Sequence, residues 1–182
     1  MKPNNLLIAN DGTLKIADFG LARSFARPYE NMTSQVVTRW YRAPELLFGS
    51  KHYSTAVDIW AVGCIFAELM LRVPFVAGSS DMEQLTTIFK ALGTPTESEW
   101  PGLTTLPDYV SFPFYPKQPL RHIFTAADAE TLDLLGKMLT FAPAKRITAV
   151  DALNHPYFKK LPYPTEPSRL PRSLAVNSQS NK

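Results

Sequence analysis

Asp18-Phe19-Gly20 places a carboxylate directly after a short apolar strand, and Ala43-Pro44-Glu45 follows 25 residues later. The stretch between them carries hydroxyl side chains that could take a phosphate. Either tripeptide alone reads as a turn; the pair at this spacing, around a modifiable loop, has chemical content. Phosphoryl transfer needs metal ions held by hard oxygen ligands that bridge phosphates, and a carboxylate and an amide oxygen suit that task. Other chemistries find less support. His52, His122 and His155 show no metal-ligand spacing and read as surface or packing residues. Cys64, the single cysteine, lies in an apolar stretch, so it forms no intrachain disulfide and reads as a structural thiol in a reducing compartment.

Several elements must position these groups. Leu6-Leu7-Ile8-Ala9 and Thr13-Leu14-Lys15-Ile16-Ala17 flank Asn10-Asp11-Gly12, whose residues tolerate positive φ, so a β-hairpin is predicted. Residues 18–45 lack helical periodicity and run through Gly20, Pro28 and Pro44, which predicts a long functional loop. Thr55 to Leu71 is apolar on nearly every face, the pattern of a helix surrounded by other elements at the centre of a core. Ser80-Asp81-Met82-Glu83 is a capping box opening a helix with Leu85, Ile88, Phe89 and Leu92 on one stripe and Gly93 as its stop. Six prolines between Thr94 and Phe124 exclude long regular structure there, while the aromatics among them imply packing onto the domain. Asp128 caps a helix carrying Leu132, Leu135 and Leu139, and Thr148 caps a last one ending near His155-Pro156.

Met1-Lys2-Pro3-Asn4-Asn5 matches the end of the protein-kinase catalytic loop, H-R-D-x-K-P-x-N, from the position after its aspartate. With Asp18-Phe19-Gly20 and Ala43-Pro44-Glu45, it makes the chain resemble the protein kinases, and among them the cyclin-dependent kinases. Gln35-Val36-Val37-Thr38-Arg39-Trp40-Tyr41-Arg42 and Leu92-Gly93-Thr94-Pro95-Thr96 look most like the CDK-activating kinase. The resemblance implies a mainly α fold: the C-terminal helical lobe of a kinase over residues 1–158, with a small β-hairpin and a long activation loop. A polar, Pro-rich, disordered tail is expected over 159–182. The family places the Gly-rich phosphate loop, the ATP-pairing lysine and the H-R-D aspartate before the position that Met1 matches. The chain is therefore expected to be a segment without the N-terminal lobe or the catalytic base, inactive alone.

The resemblance also assigns roles and cofactors. ATP and Mg²⁺ are implied, with Asp18 and Asn5 as metal ligands and Lys2 beside the transferring phosphate. Thr38 would bond the catalytic aspartate and Lys2. Thr33 would be the activating phosphosite, with Arg23 as the one phosphate-binding arginine of three that falls within this sequence. An early Ser-Pro phosphosite of the activating kinase is replaced by Arg27-Pro28. Val37, its carbonyl satisfied by Arg42, would impose proline-directed specificity. Glu45 and Arg146 are expected to form a buried ion pair, and Asp58 to be buried against backbone amides of the catalytic loop. The implied partners are a cyclin H-like subunit, a RING-type assembly factor and TFIIH in the nucleus, with other cyclin-dependent kinases and the RNA polymerase II tail as substrates.

Composition bounds these readings. The chain has 182 residues, 45% of them hydrophobic, which suits one globular core. The net charge of +3 is spread without a run of five basic residues, so direct nucleic-acid binding is not expected. The longest apolar run, Val57 to Leu71, contains Asp58 and Glu68 and is shorter than the roughly 20 residues of a membrane span. A noncatalytic module, in which the helical lobe binds partners without transferring phosphate, is the competing reading.

Overall fold

Two short strands, β1 (Leu6–Ile8) and β2 (Leu14–Ile16), pair antiparallel with Leu6 opposite Ile16 and Ile8 opposite Leu14. The turn between them closes through Ala9 N–H to Thr13 O at 2.9 Å and Gly12 N–H to Ala9 O at 2.9 Å. Gly12 adopts φ 84°, a conformation that favours glycine. The Asp11 carboxylate accepts from Thr13 N–H at 2.9 Å, and that bond lowers the Asp11 pKa. The computed structural model describes residues 1–20 and 39–170; Arg23, Arg27-Pro28, Thr33, Val36-Val37 and Thr38 lie outside the described residues.

The remainder is helical and irregular: α1 (Pro44–Leu47), α2 (Ala56–Leu71), α3 (Asp81–Leu92), α4 (Ala129–Met138) and α5 (Ala149–Leu153). Mainly helical structure with one small sheet is the fold class the sequence implies. Helix α2 buries Trp60, Ala61, Cys64, Ile65 and Ala67. Gly63 lets it approach the end of α4, since a Cβ there would lie 2.9 Å from Leu139 Cδ2 and 3.0 Å from Met138 Cβ. Helix α2 is not covered on every face by the described residues. Leu69 is 73% exposed, because the described chain supplies packing partners for only part of the helix surface.

Local capping sets the other helices. Ser80 Oγ accepts from Glu83 N–H at 3.1 Å, but the Glu83 carboxylate turns to Ser79 N–H at 2.9 Å and to the Ser79 hydroxyl, so only half of the capping box forms. Asp128 accepts from Thr131 N–H at 3.0 Å at the start of α4, and Thr148 Oγ1 from Asp151 N–H at 3.1 Å at the start of α5.

The Pro-rich excursion between α3 and α4 packs on Phe48. Trp100, Tyr109 and Phe112 lie 6.1, 5.7 and 6.1 Å from that ring, centroid to centroid. Residues 159–170, within the span assigned by composition to a tail, return to the domain at two points. Lys160 Nζ sits 2.5 Å from Asp128 and 2.7 Å from Glu130, and Pro167 covers Gly12, which is buried in an otherwise exposed hairpin.

Candidate functional site

Lys2, Asn5 and Asp18 are brought together by backbone bonding. A 3-10 turn over Pro3–Asn5 begins with proline, which has no N–H to leave unsatisfied, and closes with Asn5 N–H to Lys2 O at 3.0 Å. After the hairpin the chain passes Asn5 again, with Ala17 N–H bonded to Asn5 O at 2.8 Å. Asp18 then lies beside Asn5, whose Nδ2 donates to Asp18 Oδ2 at 3.3 Å. Asp18 has φ 62°, which is uncommon for a residue with a Cβ and concentrates at functional sites. The carboxylate is exposed, as is the Phe19 side chain.

These two side chains fit a hard divalent cation. With its nitrogen toward Asp18, the Asn5 amide keeps its oxygen available, so the site offers a carboxylate and an amide oxygen. Among the described residues no group of three or more His, Cys, Asp or Glu side chains could hold a metal alone. A two-ligand site suits Mg²⁺, which completes its octahedron with water and substrate phosphates.

A second set of contacts fixes the end of the loop at residues 39–47. Arg39 Nε donates to Asp81 Oδ1 at 2.6 Å and its Nη1 to Ser79 O at 3.2 Å. Trp40 Nε1 donates to Gly78 O at 3.3 Å, and Tyr41 OH to Glu68 Oε2 at 2.6 Å. Burial, and then the Glu68 carboxylate, push the Tyr41 phenol well above its ordinary pKa. Arg42 is 7% exposed and donates to Asp81 Oδ1 at 3.3 Å; its burial lowers the guanidinium pKa and the Asp81 charge opposes that shift. Gln84, fully buried, accepts from Gly78 N–H at 2.7 Å and donates to Val76 O at 3.2 Å, holding the strip that the loop end rests on.

Glu45 and Arg146 meet in a two-pronged pair, Nη1 to Oε1 at 2.8 Å and Nη2 to Oε2 at 3.0 Å. Arg146 also donates to the carbonyls of Thr140, Ala56 and Phe141 and lies over the Trp60 ring, so all five of its N–H groups are used. Asp58 departs from expectation. Its side chain is 58% exposed and lies 3.6 Å from Met1 N, and no backbone amide of the described residues is bonded to it. Thr38, Thr33, Arg23 and Val37 fall outside the described residues.

Asp81, Glu68, Ser79 and Gln84 were not marked by sequence reasoning. Asp81 and Glu83 read there as helix-start acids, and Gln84 breaks the apolar stripe of α3 without a local signal. Their partners among residues 39–42 lie 27 to 44 positions away along the chain.

The sequence model described as protein kinase domain matches residues 1–158. Cyclin-dependent kinase D-1 of Oryza sativa subsp. indica is 61% identical over 181 residues, covering 100% of this chain and 43% of that protein. Cyclin-dependent kinase 7 of Xenopus laevis is 58% identical, covering 94% of this chain and 49% of its own length. Serine/threonine-protein kinase KIN28 of Saccharomyces cerevisiae is 53% identical, covering 93% and 56%. The chain thus spans about half the length of the curated relatives it matches. Among solved structures, the CAK complex from Chaetomium thermophilum bound to ATP-gamma-S superposes with a TM-score of 0.90 at 50% identity, covering 95% of this chain and 55% of that one. With its Asn5–Asp18 pair, its anchored loop end and these likenesses together, the chain belongs to the protein kinase family, alongside the cyclin-dependent kinases of the activating type.

Proposed function

We propose that the protein bearing this chain is a cyclin-dependent serine/threonine kinase of the CDK-activating type, transferring the γ-phosphate of ATP to other cyclin-dependent kinases and to the RNA polymerase II tail. The observation that carries the reading is Asn5 beside Asp18 at 3.3 Å, with Asp18 held at positive φ at the mouth of the loop. Asp18 and Asn5 would hold Mg²⁺, which when bound neutralises charge on the β- and γ-phosphates. Lys2, one turn before Asn5, supplies a compact positive charge for the transferring group. Thr38 orients Lys2 and the catalytic aspartate. The protein's regulation follows the same reading: Thr33 is the activating phosphosite and Arg23 one of its ligands. Val37 and Arg42 make the enzyme proline-directed.

The partners proposed with this reading are a cyclin H-like subunit, a RING-type assembly factor and TFIIH, in the nucleus; the names of similar proteins, a cyclin-dependent kinase and a CAK complex among them, support the cyclin partnership. The 182 residues alone are proposed not to transfer phosphate, since they hold neither a Gly-rich loop nor an H-R-D aspartate. The test is an assay of the cyclin-bound full protein on a Ser-Pro peptide with ATP and Mg²⁺. Transfer that falls to background in Asp18→Asn supports the proposal; no transfer by the wild-type complex, with the helical lobe still binding its partners, would favour the noncatalytic module.

A further inference from the structure

Three of the four residues from Arg39 to Arg42 are clamped to a single strip of chain, while Tyr41 turns to Glu68. Arg39, Trp40 and Arg42 reach Ser79, Gly78 and Asp81, and Gln84 Nε2 reaches back to Trp40 O at 3.5 Å. One atom of this clamp is used twice: Asp81 Oδ1 accepts from Arg39 Nε at 2.6 Å and from Arg42 Nη1 at 3.3 Å.

The two arginines are like charges three positions apart, and the nearer presence of Arg39 makes the charged form of Arg42 harder to hold. Arg42 is nearly out of solvent, at 7% exposure, so its guanidinium needs a counter-charge inside the clamp. Asp81 supplies it from a fixed place. It is the first residue of α3, whose start is capped by Ser80, and the N-terminal end of a helix favours a carboxylate there. The carboxylate is 45% exposed, so its own desolvation is partial, whereas that of Arg42 is nearly complete.

We propose that Asp81 is a positioning residue for substrate selection: it draws the Arg39 and Arg42 guanidinium groups to one oxygen and so fixes the orientation from which Arg42 acts on the loop end. The inference rests on the proposed role of Arg42 in reading the residue after the phosphoacceptor. Asp81 touches no reacting atom; it acts through Arg42.

The test uses the cyclin-bound full protein and two peptides that differ only in Ser-Pro against Ser-Ala. In Asp81→Asn the ratio of kcat/KM for the two peptides falls about tenfold, through a lower KM for the Ser-Ala peptide, whose backbone N–H gains an acceptor that proline cannot use, with kcat held. In an Arg42→Lys background, the same Asp81→Asn change leaves the ratio where Arg42→Lys has already put it. A ratio unchanged in Asp81→Asn, or a further independent fall in the double variant, overturns the proposal. Loss of kcat for both peptides equally also overturns it, since that marks a merely structural role. Should the asparagine variant not fold, Asp81→Ser, small enough for the first helical turn, carries the same measurements. A wild-type enzyme that phosphorylates Ser-Pro and Ser-Ala equally removes the reading of Arg42 itself; a selective wild type with an unaffected Asp81→Asn ratio removes the role of Asp81 alone.

Discussion

The Glu45–Arg146 pair should reveal which partner the loop end leans on. Both side chains are almost wholly out of solvent, at 4% and 0% exposure. In Glu45→Gln the guanidinium loses its counter-charge but keeps three carbonyls and the Trp60 ring 5.2 Å away. Breaking a buried pair from one side costs about 3–5 kcal/mol, and these remaining bonds place Glu45→Gln at the low end. Arg146→Met strands a buried carboxylate and also leaves the carbonyls of Thr140 and Phe141 without the donor they use now. Ala56 is less affected, because its carbonyl lies in the first turn of α2 and has a helical partner too. Two orphaned carbonyls add at least about 1 kcal/mol each, so Arg146→Met should exceed Glu45→Gln by about 2 kcal/mol or more. Urea unfolding of the chain, followed by circular dichroism with the slope unchanged between variants, measures both losses. Equal losses would show that the pair and not the wider network carries the energy. A Glu45→Gln loss under about 1 kcal/mol would refute the buried-charge reasoning altogether.

Gly12→Ala should release residues 160–170 from the hairpin, since a Cβ there would sit 1.7 Å from the Pro167 carbonyl oxygen and φ is 84°; faster tryptic cleavage after Lys159 and Lys160 than in wild type is the expected readout. The Asp128 pKa is depressed, first by the Lys160 hydrogen bond and then by Thr131, so the stabilisation is present above the ordinary carboxylate pKa and is lost as pH falls through the depressed folded value. Amide hydrogen exchange around Lys160, corrected for its intrinsic pH dependence, should therefore be equally protected at pH 4 and pH 7, and Lys160→Met should remove any loss of protection that appears at lower pH. Burial pushes the Cys64 thiol up to about 12, so it should resist a thiol reagent at pH 8 in the folded chain and react in urea; rapid labelling without urea would contradict its burial.

Signals confined to a few neighbouring residues were legible. Asn10-Asp11-Gly12 marked the hairpin, and Ser80, Asp128 and Thr148 marked three helix starts, because a turn or a cap is made within four positions of chain. The same locality explains a half-right reading at Ser80: the spacing to Glu83 fits a capping box, yet Ser79, one residue further from Glu83 along the chain, offers the carboxylate both an N–H and a hydroxyl. Asp58 failed for the opposite reason. The resemblance places it against backbone amides of the catalytic loop, a long-range contact that no local spacing encodes, and among the described residues its side chain is 58% exposed. Tyr41–Glu68, Arg42–Asp81 and Gln84–Trp40 join positions that sequence spacing does not relate, so only the folded chain brings them together.

The two parts of the candidate site are held in different ways, and this bears on how each should respond to mutation. Asn5 and Asp18 rest on a two-stranded hairpin whose Leu7, Ile8, Leu14 and Ile16 are all about half exposed or more, so little packing backs them. A pair of strands with so little buried surface is marginal alone, so Asp18 also depends on the backbone bonds from Asn5 to Lys2 and Ala17, the Asn5 side chain, the packing of Leu6 on the core and the Pro167 contact at Gly12. Residues 39–47 instead join α2, α3 and the turn after α4 through buried or half-buried charges. Substitutions around the hairpin should therefore shift the position of Asp18 at small cost in global stability, whereas those at Glu45 or Arg146 should act on the unfolding of the whole helical body. Hydrogen exchange separates the two cases: in Gly12→Ala, faster exchange confined to residues 6–16 with α2 protection unchanged is expected, and loss of protection across both would show that hairpin and helices unfold as one unit.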